Sequence, residues 1–117
     1  MATISKQYLT GPIESLSGTF IGIGIVNPSG TVIHTSQTAN SIEEVWLWAT
    51  NIHTSPVALT LEWGAKISGH LTKVTIPSQE GLFQIIPGFP VTSGVVISAY
   101  ASVSGVVSVA GYVNRIT

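Results

Sequence analysis

The sequence predicts an all-β domain, an antiparallel sandwich or small barrel of seven or eight strands, and three observations carry that prediction. Apolar and polar residues alternate with a period of two, while no helical period persists over three turns. Ile and Val number 27, Ser and Thr another 27, and glycine 12, a mixture of β-branched strand formers and turn formers. Turn signals recur about every ten residues. At 117 residues the chain has enough material for one packed core and too little for a second. It divides into an N-terminal arm over residues 1–15 and a single sandwich domain over residues 16–117.

The arm holds Lys6 and Glu14 but no clear alternation, so it either docks on a neighbour as an extended segment or frays. The first strand spans residues 19–26, with Ile21, Ile23 and Ile25 on one face and Gly22 and Gly24 on the other. Glycines at alternate positions strip a face of side chains, which suits a close backbone approach at a subunit contact or a bend within the sheet. Both glycines are therefore candidate interface residues. Asn27-Pro28-Ser29-Gly30 reads as a turn, and residues 31–35 pair back.

Residues 42–52 carry Val45, Leu47 and Ala49 on one face and Trp46 and Trp48 on the other. A strand apolar on both faces is expected to be covered on both. A turn over residues 51–56 leads into residues 57–63, where Val57, Leu59, Leu61 and Trp63 alternate with Ala58, Thr60 and Glu62. Residues 70–76 point Val74 and Ile76 inward, and Pro77, which has no N–H for a ladder, ends that strand. A short strand over 81–86 precedes a corner at Pro87-Gly88-Phe89-Pro90. Then Val95, Ile97, Ala99, Ala101 and Val103 oppose Ser98, Tyr100 and Ser102. After the Ser104-Gly105 turn, Val107, Val109 and Val113 alternate with Ser108, Ala110 and Tyr112 over residues 106–115.

Charged residues make up 8% of the chain, against roughly 25% in an average soluble domain. A net charge of -1 provides no basic footprint for nucleic acid. With no cysteine and no aspartate, thiolate chemistry, iron–sulfur clusters and aspartate-dependent triads drop out. No charge falls between Gly81 and Asn114, yet Pro87, Gly88, Pro90, Gly94, Gly105 and Gly111 interrupt that stretch. A membrane-spanning helix needs about 20 consecutive apolar residues, so no membrane partner is expected. The start, MATISKQYLTGPIE, lacks an apolar run of signal-peptide length and reads as a cytoplasmic start.

No chemistry-bearing constellation stands out. G-x-S-x-G is absent, and Glu43 and Glu44, adjacent on a strand, face opposite ways. Glu62, outward on its strand, and Glu80, in a loop, read as solvated surface charge. His34, His53 and His70 sit on separate strands or turns without metal-ligand spacing and read as independent surface or turn residues. Gly22-Ile23-Gly24 lacks the third glycine and the helix of a phosphate loop. The expectation is a protein with no catalytic, metal or cofactor site.

Nine charged side chains cannot cover a small domain that exposes a large share of its area. Interface cores are depleted of charge and enriched in aromatics, so Trp46, Trp48, Tyr100 and Tyr112 are candidates for a surface buried against copies of the chain or a larger assembly. The alternative is that they form the second face of a two-layer core. Glu62, Lys66, Lys73 and Glu80 gather in one stretch, which marks the most solvated side.

The runs VWLWATNIHTSPVALTLEWG and KVTIPSQEGLFQIIPGFPVTSGVVISAYASVSGVVSVAGYVNRI, within residues 42–116, resemble the small cysteine-free β-sandwich virion proteins of tailed bacteriophages, among them capsid decoration (cement) proteins. The resemblance implies a jelly-roll-like sandwich that forms a homotrimer. It also implies binding across joints between subunits of the major capsid protein, on the capsid surface of a virion, after synthesis in the host cytoplasm. Such families carry no catalytic residues to transfer. Related sandwiches serve as tail, head-fibre or adhesin-type modules, in which Trp46, Trp48 or Trp63 would stack on the sugar ring of a carbohydrate receptor.

Overall fold

A computed structural model describes residues 3–11, 20–25, 30–37, 41–65 and 68–117. Nine strands run through them: β1 (Ile4–Tyr8), β2 (Ile21–Ile23), β3 (Thr31–Thr35), β4 (Ile42–Asn51), β5 (Val57–Trp63), β6 (Leu71–Ile76), β7 (Phe83–Val91), β8 (Val96–Ala101) and β9 (Val107–Ile116). One 3-10 turn, Ser68–His70, precedes β6. The first sheet is ordered β1-β9-β4-β7, with β2 also on β9, and the second is ordered β3-β8-β5-β6. β1 and β2 share one edge of β9, β1 beside Tyr112 to Ile116 and β2 beside Val107 to Val109.

The pairing is nested. β5 pairs with β6, β4 with β7, β3 with β8 and β2 with β9, every pair antiparallel. The chain is one long ribbon turned at the β5–β6 connection and rolled so that successive pairs fall in alternate sheets. That is the jelly-roll arrangement of a double-sheet sandwich. The core lies between the sheets, where Val45, Leu47, Val109 and Val113 of the first join Leu59, Leu61, Ile97 and Ala99 of the second in one buried cluster. Period-two alternation is clearest on β4, whose odd-numbered residues are buried from Glu43 to Asn51.

The ninth strand is β1, within the arm. Its exposed side carries Ile4, Lys6 and Tyr8, so no apolar row turned to the core announces it. The first expected strand is shorter than its alternation suggests. Ile21 and Ile23 are buried, but Ile25 is 55% exposed. The chain leaves the first sheet at Gly24, whose carbonyl accepts a hydrogen bond from the Ala101 N–H of the second sheet. The turn expected at Asn27-Pro28-Ser29 lies outside the described residues, as do Glu14 and Lys66.

The expected corner at Pro87 to Pro90 is instead the middle of β7, which continues to Val91. β7 is an edge strand, where a missing N–H is tolerated on the open side. Gly88 at φ 83° and the register shifts against β4 accommodate the bend. The β4–β5 turn is organised by Asn51, which is buried. Its amide nitrogen donates to the carbonyls of Ser55 and Ile76 at 3.0 and 3.1 Å, and its oxygen accepts the His53 N–H at 2.9 Å.

Two glycines test this packing from opposite sides. Gly111 lies opposite Leu47, and a Cβ there would fall on the Trp46 carbonyl, backbone that has no freedom to swing aside. At Gly22 an added Cβ meets nothing within 4 Å. We expect Gly111→Ala to lower stability by about 2 kcal/mol or more. Gly22→Ala should leave it unchanged or raise it by at most about 1 kcal/mol. Urea unfolding measures both, and equal effects would contradict the β4–β9 contact.

Candidate functional site

Directly opposed residues of antiparallel strands share a face, and the register of β1, β9 and β4 therefore lays out the outer face of the first sheet in rows. Ile4, Ile116 and Ile42 form the first row, Lys6, Asn114 and Glu44 the second, and Tyr8, Tyr112 and Trp46 the third. Ala110 and Trp48 follow, and Gly22, Ser108 and Thr50 close the series. The face is an aromatic patch with a polar row running through an apolar border.

Tyr112 is sandwiched in this patch. Its ring stacks on Trp46, with centroids 6.3 Å apart and planes at 17°, and on Trp48 at 5.9 Å and 30°. The Lys6 ammonium lies 4.4 Å from the centre of the Tyr112 ring, a cation–π distance. From the β7 side, Gly88 brings backbone against the Trp46 indole, where a Cβ would lie 2.6 Å from the ring. The Trp46 indole N–H is buried and has no acceptor among the described residues. Trp46, Trp48 and Tyr112 are nonetheless only half-buried, and Ile4, Tyr8 and Ile42 are exposed.

Of the expected interface residues, the fold thus gathers Trp46, Trp48, Tyr112 and Gly22 on one surface. Tyr100 is elsewhere. It stands opposite Thr60 on the second sheet, among the outward residues of β8, while Ile97, Ala99 and Ala101 of that strand are buried. Gly24 has left the sheet, its N–H reaching the Thr31 hydroxyl at 3.5 Å. At Gly24 the chain bends out of the first sheet and its carbonyl bonds to the Ala101 N–H, while Gly111 packs directly on the Trp46 carbonyl. Sequence periodicity missed Ile4, Lys6 and Tyr8, which the pairing of the arm with β9 adds to the face.

A second cluster overturns, for His34, the expectation that the histidines are independent surface or turn residues; His53 and His70 do lie in turns. His34 on β3 and Glu43 on β4 are fully buried. His34 Nδ1 accepts the Thr10 N–H at 3.3 Å; this assigns the ring proton to Nε2, which donates to Glu43 Oε1 at 2.7 Å. Arg115 Nε donates to Glu43 Oε2 at 2.8 Å. Burial pushes the Glu43 carboxyl pKa up, but the hydrogen bonds from His34 and Arg115 and the Arg115 charge outweigh it and hold the group below the usual glutamate range. The cluster links both sheets and the end of the arm, where the Thr10 hydroxyl also accepts the Thr35 N–H at 2.9 Å.

Glu62 is outward on β5, as expected, but it is only 4% exposed and not solvated. It accepts a hydrogen bond from the Ser98 hydroxyl at 2.9 Å. Gly30 packs against its carboxylate, and a Cβ there would lie 2.5 Å from Oε1. His53 Nδ1 accepts the Ser55 N–H within its turn, and His70 Nδ1 lies 3.0 Å from the Trp63 carbonyl oxygen. A largely apolar cavity of about 580 Å³ opens between β6 and β7, walled by Trp63, His70 and Phe89 and lined by no carboxylate. Among the described residues no group of three or more His, Cys, Asp or Glu side chains is placed to hold a metal ion.

No family model, curated protein or solved structure matches the chain.

The Glu43 cluster makes a pH prediction. Because the folded state depresses the Glu43 pKa, its stabilisation is complete above the unfolded-state value, about 4.3. It is lost as pH falls through the lower folded-state value. Glu43→Gln keeps an oxygen for His34 but turns an amide N–H₂ toward Arg115, and should cost about 3 kcal/mol near pH 7. The difference between variant and wild type should shrink below about pH 4. Denaturant unfolding across pH checks this, and a difference independent of pH would contradict it.

Proposed function

We propose that this chain is a non-enzymatic structural protein of a virion, a decoration protein on the head of a tailed bacteriophage. In this reading it works as a homo-oligomer that binds across neighbouring subunits of the capsid, on the capsid surface, after synthesis in the host cytoplasm. The sequence resemblance implies three copies. One observation carries the reading: β4 is apolar on both faces, and no strand among the described residues lies over its outer row of Trp46 and Trp48. A strand of that composition is at home with cover on both sides, and in this reading the second cover comes from another molecule.

The rest of the surface agrees. With nine charged side chains in 117 residues, the chain has the charge depletion of an interface core spread over much of its area. Jelly rolls recur in viral capsid and lectin domains, and the resemblance over residues 42–116 favours the virion over the lectin. Because the fold by itself does not choose a function, the resemblance and the uncovered face supply that choice. Many copies held at fixed spacing on a shell give avidity from contacts that are individually weak.

We expect the purified protein to be oligomeric by light scattering and to appear in stoichiometric amount in purified phage particles. A monodisperse monomer absent from particles would overturn the proposal. Selective binding on a glycan array, lost on replacing Trp46 or Trp48 by alanine, would move the assignment to a carbohydrate-binding module.

A further inference from the structure

We infer that the outer face of the first sheet packs on the same face of a second copy across a two-fold axis running along β9, so that Lys6 of each copy meets Glu44 of the other. The inference rests on the self-association in the proposed function and puts a two-fold contact where the resemblance implies three copies. It starts from a symmetry within the rows. About β9 as the midline, Ile4 mirrors Ile42, Tyr8 mirrors Trp46, and the positive Lys6 mirrors the negative Glu44. Apolar residues match apolar ones across the midline, while charge changes sign.

Two identical sheets packed face to face are related by a two-fold axis lying in the plane between them. An axis along β9 keeps the rows and exchanges the columns, laying β1 of one copy over β4 of the other. Lys6 then faces Glu44, Tyr8 faces Trp46, and Ile4 faces Ile42, each contact occurring twice, as an isologous interface requires. On the midline Asn114 meets Asn114, and an amide that both donates and accepts is complementary to itself. An axis across the strands through the Asn114 row would instead set Lys6 on Lys6 and Glu44 on Glu44. Like-charge juxtaposition suppresses that arrangement, so charge selects the axis along β9.

The two charges are available for this contact. Ion pairs among the described residues are those of Glu43 with His34 and Arg115, and Lys6 rests on the Tyr112 ring. Lys6 and Glu44 stand two strands apart and form no ion pair with each other. A closed three-fold ring would need two different patches to meet, whereas this face matches itself. The overlapping side chains are fewer than the roughly 20–30 residues a side of a standard interface. The pair is accordingly weak alone and suited to reinforcement by many copies.

Sedimentation equilibrium over roughly 10 μM to 1 mM protein, the range in which weak association is read, tests the inference on the wild type, Lys6→Glu, Glu44→Lys and the double variant. We expect a monomer–dimer equilibrium for the wild type. Each single reversal, which places like charges together twice, should weaken it by about tenfold. The double reversal should restore it, and thermal unfolding midpoints close to wild type will show that all four chains fold. Oligomers of any size that respond to neither single reversal would overturn the inference and leave self-association standing. A wild type that remains monomeric throughout would overturn both.

Discussion

Glu43 takes one hydrogen bond from His34 on the opposite sheet and another from Arg115 on the neighbouring strand, with its side chain fully buried. A buried carboxylate is costly unless its oxygens are satisfied, so β4 is anchored where both partners reach it. Side chains on a strand alternate, and a slip of one residue would reverse every one of them. Holding Glu43 inward therefore holds Glu44, Trp46 and Trp48 outward. Through Thr10 and His34 the same cluster ties down the end of the arm, and β1 brings Lys6 and Tyr8 to the face that β4 presents. The outer aromatic surface thus depends on a charge placed on the inside.

Most of this architecture is legible in the sequence because it follows from alternation. Val45, Leu47 and Ala49 set against Trp46 and Trp48, and Val107, Val109 and Val113 set against Ser108 and Tyr112, are all placed as the period-two pattern predicts. Alternation fails where an edge or a crossing decides the outcome. β1 turns its apolar side chains outward and has no inward apolar row to reveal it. β7 runs through Pro87, Gly88 and Pro90 because no strand among the described residues pairs with its open edge. Gly24 ends β2 because the chain there bonds to the other sheet.

The polar core was less legible, for a different reason. Glu43 and His34 lie 9 residues apart in sequence and on different sheets, and no local pattern distinguishes a satisfied buried pair from two solvated side chains. Glu62 has the same history, since its cover comes from Gly30 and Ser98. The candidate surface was legible in part: Trp46, Trp48 and Tyr112 are recognisable as aromatics on an outward row. Their union with Lys6 depends on the antiparallel docking of two chain ends, residues 4–8 and 112–116. The same register sets opposite charges on either side of β9, a property visible only once three strands are laid side by side.

Sparse charge takes on a specific meaning in this frame. The chain has few charges, yet two of them, Glu43 and Arg115, are spent in the buried cluster, while Lys6 and Glu44 flank an aromatic patch, so among the described residues the outer face of the first sheet is where apolar area and charge outside an ion pair coincide. The central claim is that this face is an interface. Fluorine NMR of 5-fluorotryptophan-labelled protein tests it most directly, because Trp46 and Trp48 lie on that face and Trp63 lies beside the β6–β7 cavity. With rising protein concentration the resonances of Trp46 and Trp48 should shift while that of Trp63 stays fixed. Three unchanged resonances, or a shift confined to Trp63, would contradict the account.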